Sequence, residues 1–471
     1  MSQLVVFLAW YSLGLAVALA SGLGRRPALA CSVAFLLGMS VWIVLAALWL
    51  GIGLPYGGLG AGLLWLVPLA GATVIAVRRR AGGGGRGLLV GSVVAIALMA
   101  AACQLDVSNV TYDSHKMLAL ARGVGYRGAL DAGMWHQLSA WGPLLVLAHS
   151  TASFLPLSFL YSLAMVSWMA LVATFVCGLR WATDGDGGSG PGRAIAVVTL
   201  ALVSCPQFVH AATYVHNNLI AAALLFVFVL FYWLAERDGE SALLVPAFVA
   251  LAGLSFTRIE TPFVAVVFVL LVTARSQLPG RSVVLGVMGF AAPVIAWLVL
   301  IGVEIPGDGM YLTPGKVAVW VAMLVATAGY IALWSASARV RRLGRHLPVV
   351  AVVLAGLAVV VTFALDVEHM AASTAALAGN LAGGWWGAAW IGAAVAAVVM
   401  LRLPVPRFAE GWRHGSLLFV VVVVLLGFVR VPYRASFWDS GNRMMLHVLP
   451  LVYFHLGLVL LPALARRRRL D

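Results

Sequence analysis

Charge is scarce in this chain. Only 10% of its 471 residues are Asp, Glu, Lys or Arg, and acids are the rarer sign, 16 against 30 bases. A water-soluble domain of this length needs far more surface charge, so that class is excluded, and a mean hydropathy of +1.03 agrees. Cysteine is scarce too. Cys31, Cys103, Cys177 and Cys205 stand singly in or beside apolar runs. That spacing suits neither a disulfide framework nor a metal site, so they read as small buried hydrophobes. No Walker A sequence, HExxH or CxxC is present, which removes nucleotide-driven transport and zincin-type proteolysis. No basic residue precedes the first apolar run, and Arg25-Arg26 follow it. The run therefore reads as a retained helix with its N-terminus outside, not as a signal peptide.

What is present is a succession of apolar runs long enough to cross a hydrocarbon core roughly 30 Å thick. The fold class expected is all-α: a polytopic integral membrane protein with about 15 spanning helices. The net charge of +14 does not indicate a nucleic-acid partner, because the basic residues cluster in short connections between the runs. With alternating helices, about 22 of the 30 Lys and Arg fall on one side and about 8 on the other, the positive-inside asymmetry. The runs before residue 105 form an N-terminal group, 1–104, and the remainder, 105–471, a second one.

The connection 105–141, LDVSNVTYDSHKMLALARGVGYRGALDAGMWHQLSAW, is the exception to the poverty of charge. It holds Asp106, Asp113, Asp131, Lys116, Arg122, Arg127, His115 and His136. Turning the chain round needs only a few polar residues, and polar density at one membrane face marks a functional site. Asp113 suits the N-cap of a short interfacial helix ending near Gly123, and it suits equally a general base with Lys116 three residues on. Asp106 and Asp131 are further carboxylates for the same role. The segment 142–155 is too short to span.

Three other polar stretches fall on the same outer side. His216, Asn217 and Asn218 lie in a turn between two apolar runs, and Arg258 and Glu260 occupy a tight turn, as a mutual ion pair or as ligand contacts. Arg434, Asp439, Arg443 and His447 introduce the last helix. Arg443 and His447 are four apart, and an Arg at a helix N-terminus suits a phosphate, as it also suits a headgroup-level anchor. The segments 303–316 and 365–387 read as outer loops, and Trp385-Trp386 as ordinary interface aromatics.

Four of these stretches, TYDSHKMLALARGVGYRG, CPQFVHAATYVHNNLIAAALL, GLSFTRIETPF and SGNRMMLHVLP, resemble in order and placement the outer loops of GT-C glycosyltransferases. Those are polytopic enzymes that use polyprenyl-phosphate-linked sugars. The match departs in two respects: Lys116-Met117 stand where related loops often carry Tyr-His, and three further apolar runs precede the acidic loop. The resemblance implies an inverting hexosyl- or pentosyltransferase of cell-envelope biosynthesis in the cell membrane, its active site on the extracytoplasmic face. It implies Asp113, or alternatively Asp106, as catalytic base. Lys116, Arg258, Arg443 and His447 would hold the donor phosphate, and Asn217, Asn218, Glu260 and Asp439 the substrate. The implied partners are membrane lipids, the lipid-linked sugar, and a glycan, lipid or protein acceptor. Some members use a divalent metal, but the acids here offer no convincing ligand set and no cofactor is assigned. A transporter or flippase for a lipid-linked sugar is the alternative, for which repeat symmetry and mid-membrane polar residues are expected and not evident.

Overall fold

The computed structural model describes the chain except residues 1, 80–84, 106–107, 156, 184–190, 305–311, 388, 393, 395–408, 430–432, 437–438 and 468–471, and some side chains within helices, Tyr112 and Asp113 among them. The described residues are all-helical, with 85% in helices and no strand among them. Backbone polar groups in hydrocarbon must be satisfied within the segment, and the helix does this without a neighbour. Ten helices among the described residues are long and apolar enough to cross a membrane, or eleven if a pair bent by 69° is one span.

The difference from about fifteen lies partly in helices that are apolar but short, Ser241–Ser255 and Thr261–Thr273. Neither reaches the ~20 residues that a full crossing needs. The segment expected as an outer loop at 365–387 is instead mostly helix, Val367–Gly383. Its alanines favour the helix, and the Asp366 carboxylate caps it by accepting from His369 N at 3.0 Å.

The chain divides into two compact units. The first comprises Met1–Thr174, Ala212–Val266 and Leu278–Ala336. Its elements include α1 (Ser2–Ala20), α2 (Pro27–Gly51), α3 (Gly58–Arg78), α4 (Gly85–Gln104), α5 (Tyr112–Arg127), α6 (Ala132–Trp141) and α7 (Leu144–Ser150). The helix Asn217–Asp238 is its centre, with every residue from Asn217 to Ala235 buried. A helix apolar all round belongs where it has neighbours on every side. Helix α2 is nearly as enclosed, and it meets α1 where Gly14 faces Gly38. A Cβ on either would lie 1.7 Å from a carbonyl oxygen of the other helix, so only glycine permits that crossing.

The stretch between α7 and the helix Leu163–Thr183 is irregular, and side chains satisfy its backbone. Leu160 N donates to His149 Nδ1 at 3.1 Å, and Ser162 N donates to Gln3 Oε1 at 3.1 Å. At the end of the unit where Asn217–Asp238 terminates, Arg26 Nη2 bonds Asp238 Oδ2 at 2.6 Å. Arg79 donates to the Ala20 carbonyl at 2.8 Å at that end too. The helix is 22 residues long, so this basic end is about 33 Å from its Asn217 end.

The second unit comprises Phe175–Ala211, Val267–Gln277 and Ser337–Asp471. Within it the helix Ala409–Val429 packs on Leu347–Leu365 and on Val367–Gly383, and Leu449–Arg467 packs on Pro191–Val203.

Candidate functional site

Helix Asn217–Asp238 begins in an unusual way. His216, at its N-cap, is extended and makes no side-chain cap bond, and its ring stacks on Tyr214 with centroids 5.3 Å apart. The next residue, Asn217, is 2% exposed. Its amide nitrogen donates to the Trp141 carbonyl at 3.3 Å, while its Oδ1 is buried with no hydrogen-bond partner among the described residues. A buried acceptor left unmade costs about 1–3 kcal/mol. A bound hydroxyl or water donor would remove that cost.

Asn218 turns to the neighbouring loop. Its Oδ1 accepts from Arg258 Nη1 at 3.4 Å, and Arg258 Nε donates to Glu260 Oε1 at 2.6 Å. Both members of that pair are only about one-seventh exposed, 15% and 14%. Of the two readings of Arg258 and Glu260, the mutual ion pair is therefore present. It leaves Arg258 beside Asn218 as a held cation. The loop is clamped by Gly142, whose φ of 77° is left-handed. A Cβ there would be 2.9 Å from Arg258 N and from Phe256 O, so glycine is required twice over. Leu144 N then bonds Phe256 O at 2.9 Å.

The acidic connection joins the same end of the unit. Asn109 N donates to Thr213 O at 2.5 Å and Val215 N to Asn109 O at 3.2 Å, an isolated parallel bridge between Asn109 and Tyr214. Thr111 Oγ1 pairs with the Tyr214 hydroxyl at 2.9 Å, and Ser114 Oγ donates to Val215 O at 2.7 Å. Three of the four polar stretches, 105–141, 214–218 and 256–261, thus come together around the start of one buried helix. The fourth belongs to the other unit.

Two expectations about the acidic connection need correction. Asp113 is not the N-cap of α5: Thr111 is, and Asp113 is the second residue of the helix. Nor does α5 end at Gly123. It runs to Arg127 and stops at Gly128, φ 65°. The glycines inside it serve packing, since a Cβ on Gly125 would meet Ser153 Oγ at 2.1 Å and Ser150 O at 2.8 Å. Asp131 has a structural role: it caps α6 by accepting from Met134 N at 2.8 Å and pairs with Arg127. Lys116 is exposed on α5. Asp106 and the Asp113 side chain lie outside the described residues.

In the second unit, Arg443 and His447 lie in one apolar span, Ser440–Leu460, but not on one regular α-helix. Arg443 is the fourth residue of the five-residue helix Ser440–Met444, and His447 ends a 3-10 turn before Leu449–Arg467 begins. The helix start assigned to a phosphate is occupied already. Asp439 caps it, accepting from Gly441 N at 2.9 Å, and also accepts from Arg434 N at 3.2 Å. An anion at that N-terminus would meet the like charge of Asp439, an objection that does not extend to the Arg443 side chain near the other end of the helix. Asp439 is thus held in place by these bonds, and His447 is buried against Phe419 with centroids 5.3 Å apart.

Sequence reasoning missed Trp385. It is the one described non-glycine residue with left-handed backbone, φ 67°. Such a conformation costs a bulky residue about 1–3 kcal/mol and persists only where its surroundings enforce it. A run of Gly-Gly-Trp-Trp-Gly after an alanine-rich segment was the available signal. No group of three or more His, Cys, Asp or Glu suited to a metal is gathered among the described residues.

Compared with protein-family models, with curated proteins and with solved structures, the chain matches none.

Proposed function

We propose that the protein is a membrane glycosyltransferase of the cell membrane, moving a sugar from a polyprenyl phosphate to an extracytoplasmic acceptor. The observation that carries the reading is the convergence of three separate polar stretches on the start of a fully buried helix. There Asn217 Oδ1, buried with no partner among the described residues, is followed by Asn218, which accepts from Arg258 of the Arg258–Glu260 pair. A few convergent polar groups held on a rigid apolar scaffold suit a small-molecule site. The basic residues Arg26, Arg79 and Arg237 gather near the far end of that helix, which favours an outward-facing site under the positive-inside rule.

In the proposed reaction an acceptor hydroxyl attacks the anomeric carbon. Asp113 takes its proton, the oxygen forms the new glycosidic bond, and the anomeric carbon–phosphate oxygen bond breaks with inversion. The lipid phosphate leaves with that electron pair, its charge met by Arg258 and Lys116. Asn217 and Asn218 hold sugar hydroxyls. The acceptor's class, whether glycan, lipid or protein, is a matter for the assay.

The transporter reading has one observation in its favour. Residues 192–203 and 206–213 form a pair of helices bent by 69°, and discontinuous helices often line transport sites. Reconstitution separates the two. Purified protein in liposomes, given a polyprenyl-phosphate-linked pentose or hexose and mixed acceptors, should form glycosidic product. Movement of the lipid-linked sugar between leaflets without product would establish the transporter instead.

A further inference from the structure

We infer that Trp385 is a stacking platform for the sugar ring of a phosphate-linked carbohydrate. This rests on the donor class proposed above but concerns a different part of the chain.

The turn that carries Trp385 is built with care from both sides. Gly384 N donates to Asn380 O at 2.6 Å, and Trp385 O accepts from Gln207 N at 2.8 Å. Trp386 is buried, and its Nε1 donates to Asn442 Oδ1. Asn442 Nδ2 returns to Gly384 O at 3.3 Å. Asn380 is itself tied to the Arg434–Ser436 loop, donating to Arg434 O at 2.8 Å and accepting from Ser436 N at 2.7 Å. These bonds over-determine the backbone and hold Trp385 in a conformation that tryptophan does not adopt by preference.

The reason for holding it so is not burial. Trp386, next to it, fills the interior at 1% exposure, whereas Trp385 is 52% exposed. Strain is spent on presenting a large aromatic face outward. The His210 ring meets it edge to face, centroids 5.9 Å apart, which fixes the rotamer. Arg443 directly follows Asn442, which bonds both Trp386 Nε1 and Gly384 O on either side of Trp385, so a cation stands near the same platform. A rigid aromatic face with a nearby cation fits a ligand that has one apolar C–H face and an anionic group. A glycosyl phosphate is such a ligand, because the polarised C–H bonds of a sugar ring meet the negative face of an indole.

The competing occupant is the lipid headgroup layer, in which tryptophans commonly sit. An interface anchor needs an exposed indole but no enforced left-handed backbone.

The test uses full-length protein in nanodiscs and two probes, citronellyl phosphate and its mannosyl or arabinosyl ester, with binding measured by microscale thermophoresis. Trp385→Gly is the informative variant, because glycine relieves the strain and keeps the turn folded. It should match or exceed the wild-type melting temperature, lose about ten-fold or more in affinity for the glycosylated probe, and bind citronellyl phosphate within about two-fold of wild type. Trp385→Phe, which retains a ring, should lose less. Equal affinity of Trp385→Gly and wild type for the glycosylated probe overturns the inference and leaves the transferase reading intact. Equal loss for both probes makes Trp385 a general lipid contact and overturns it too. A wild-type protein that binds neither ester counts against both this inference and the donor class.

Discussion

Arg258 Nε lies 2.6 Å from Glu260 Oε1, two residues along the same turn, and the pair is mostly shielded from solvent. Such a pair is weak evidence of net stability, yet removing one partner leaves the other buried and uncompensated. Glu260→Gln should therefore destabilise the protein by about 1–3 kcal/mol, allowing for the residual exposure. Arg258→Gln/Glu260→Gln should cost less than the sum of the single changes. Thermal unfolding in detergent for the full mutant cycle reads this directly, and strict additivity would show that the two side chains do not support one another.

Asp113→Asn keeps most of the side chain's size while removing its ability to take a proton. Transfer from a polyprenyl-phosphate sugar should fall by about 10²–10⁴-fold, the usual worth of a general base. Asp131 makes a sharp contrast. Asp131→Ala should cost about 1 kcal/mol through loss of the α6 cap, with turnover changed little in the protein that remains folded. A normal rate in Asp113→Asn, with Asp131→Asn inactive, would assign the base to the wrong helix.

Gly142 and Gly22 both have positive φ, 77° and 88°. A Cβ on Gly22 meets nothing within 4 Å, whereas one on Gly142 strikes the Arg258–Phe256 backbone. Gly22→Ala should cost only the conformational penalty, about 1 kcal/mol. Gly142→Ala should cost several times more, and it should also weaken donor binding because it displaces Arg258. Similar melting temperatures for the two variants would contradict the close approach.

Asn217 offers a buried carbonyl with no partner among the described residues. Asn217→Ala should raise KM for the sugar donor by about ten-fold, with a stability loss near 1 kcal/mol from the Trp141 bond. An unchanged KM would leave Asn217 with water, not sugar, as its partner.

The orientation is testable with single cysteines in a background where the four native ones are replaced. Ser108→Cys, beside the Asn109 bridge, should react with an impermeant thiol reagent in whole cells. Glu240→Cys, beside Arg26 at the opposite end of the buried helix, should react only once the cells are opened. The reverse pattern would turn the site toward the cytoplasm.

The composition by itself determined that this is a helical, multi-pass membrane protein. Hydrocarbon solvates neither charge nor free backbone, and long uninterrupted apolar runs satisfy their backbone there as helices, whereas barrel strands would alternate apolar and polar residues. The polar stretches were legible for the same reason: at 105–141, 216–218 and 258–260 each interrupts a composition that otherwise avoids polar groups. What hydropathy could not resolve was length against packing. Short helices such as Thr261–Thr273 read as spans, and an alanine-rich helix capped by Asp366 read as a loop, because a window average sees polarity and not the bonds that close a turn. Only the tertiary structure decided which polar residues are occupied. It gave Asp439 and Asp131 to helix caps, paired Arg258 with Glu260, and left the Asn217 carbonyl unpartnered. It also set Trp385 in a backbone conformation that no local propensity favours. The two caps and the Arg258–Glu260 pair join near neighbours, whereas the settings of Asn217 and Trp385 depend on hydrogen bonds to Trp141 and Gln207, residues far away in the chain that no single stretch of sequence contains.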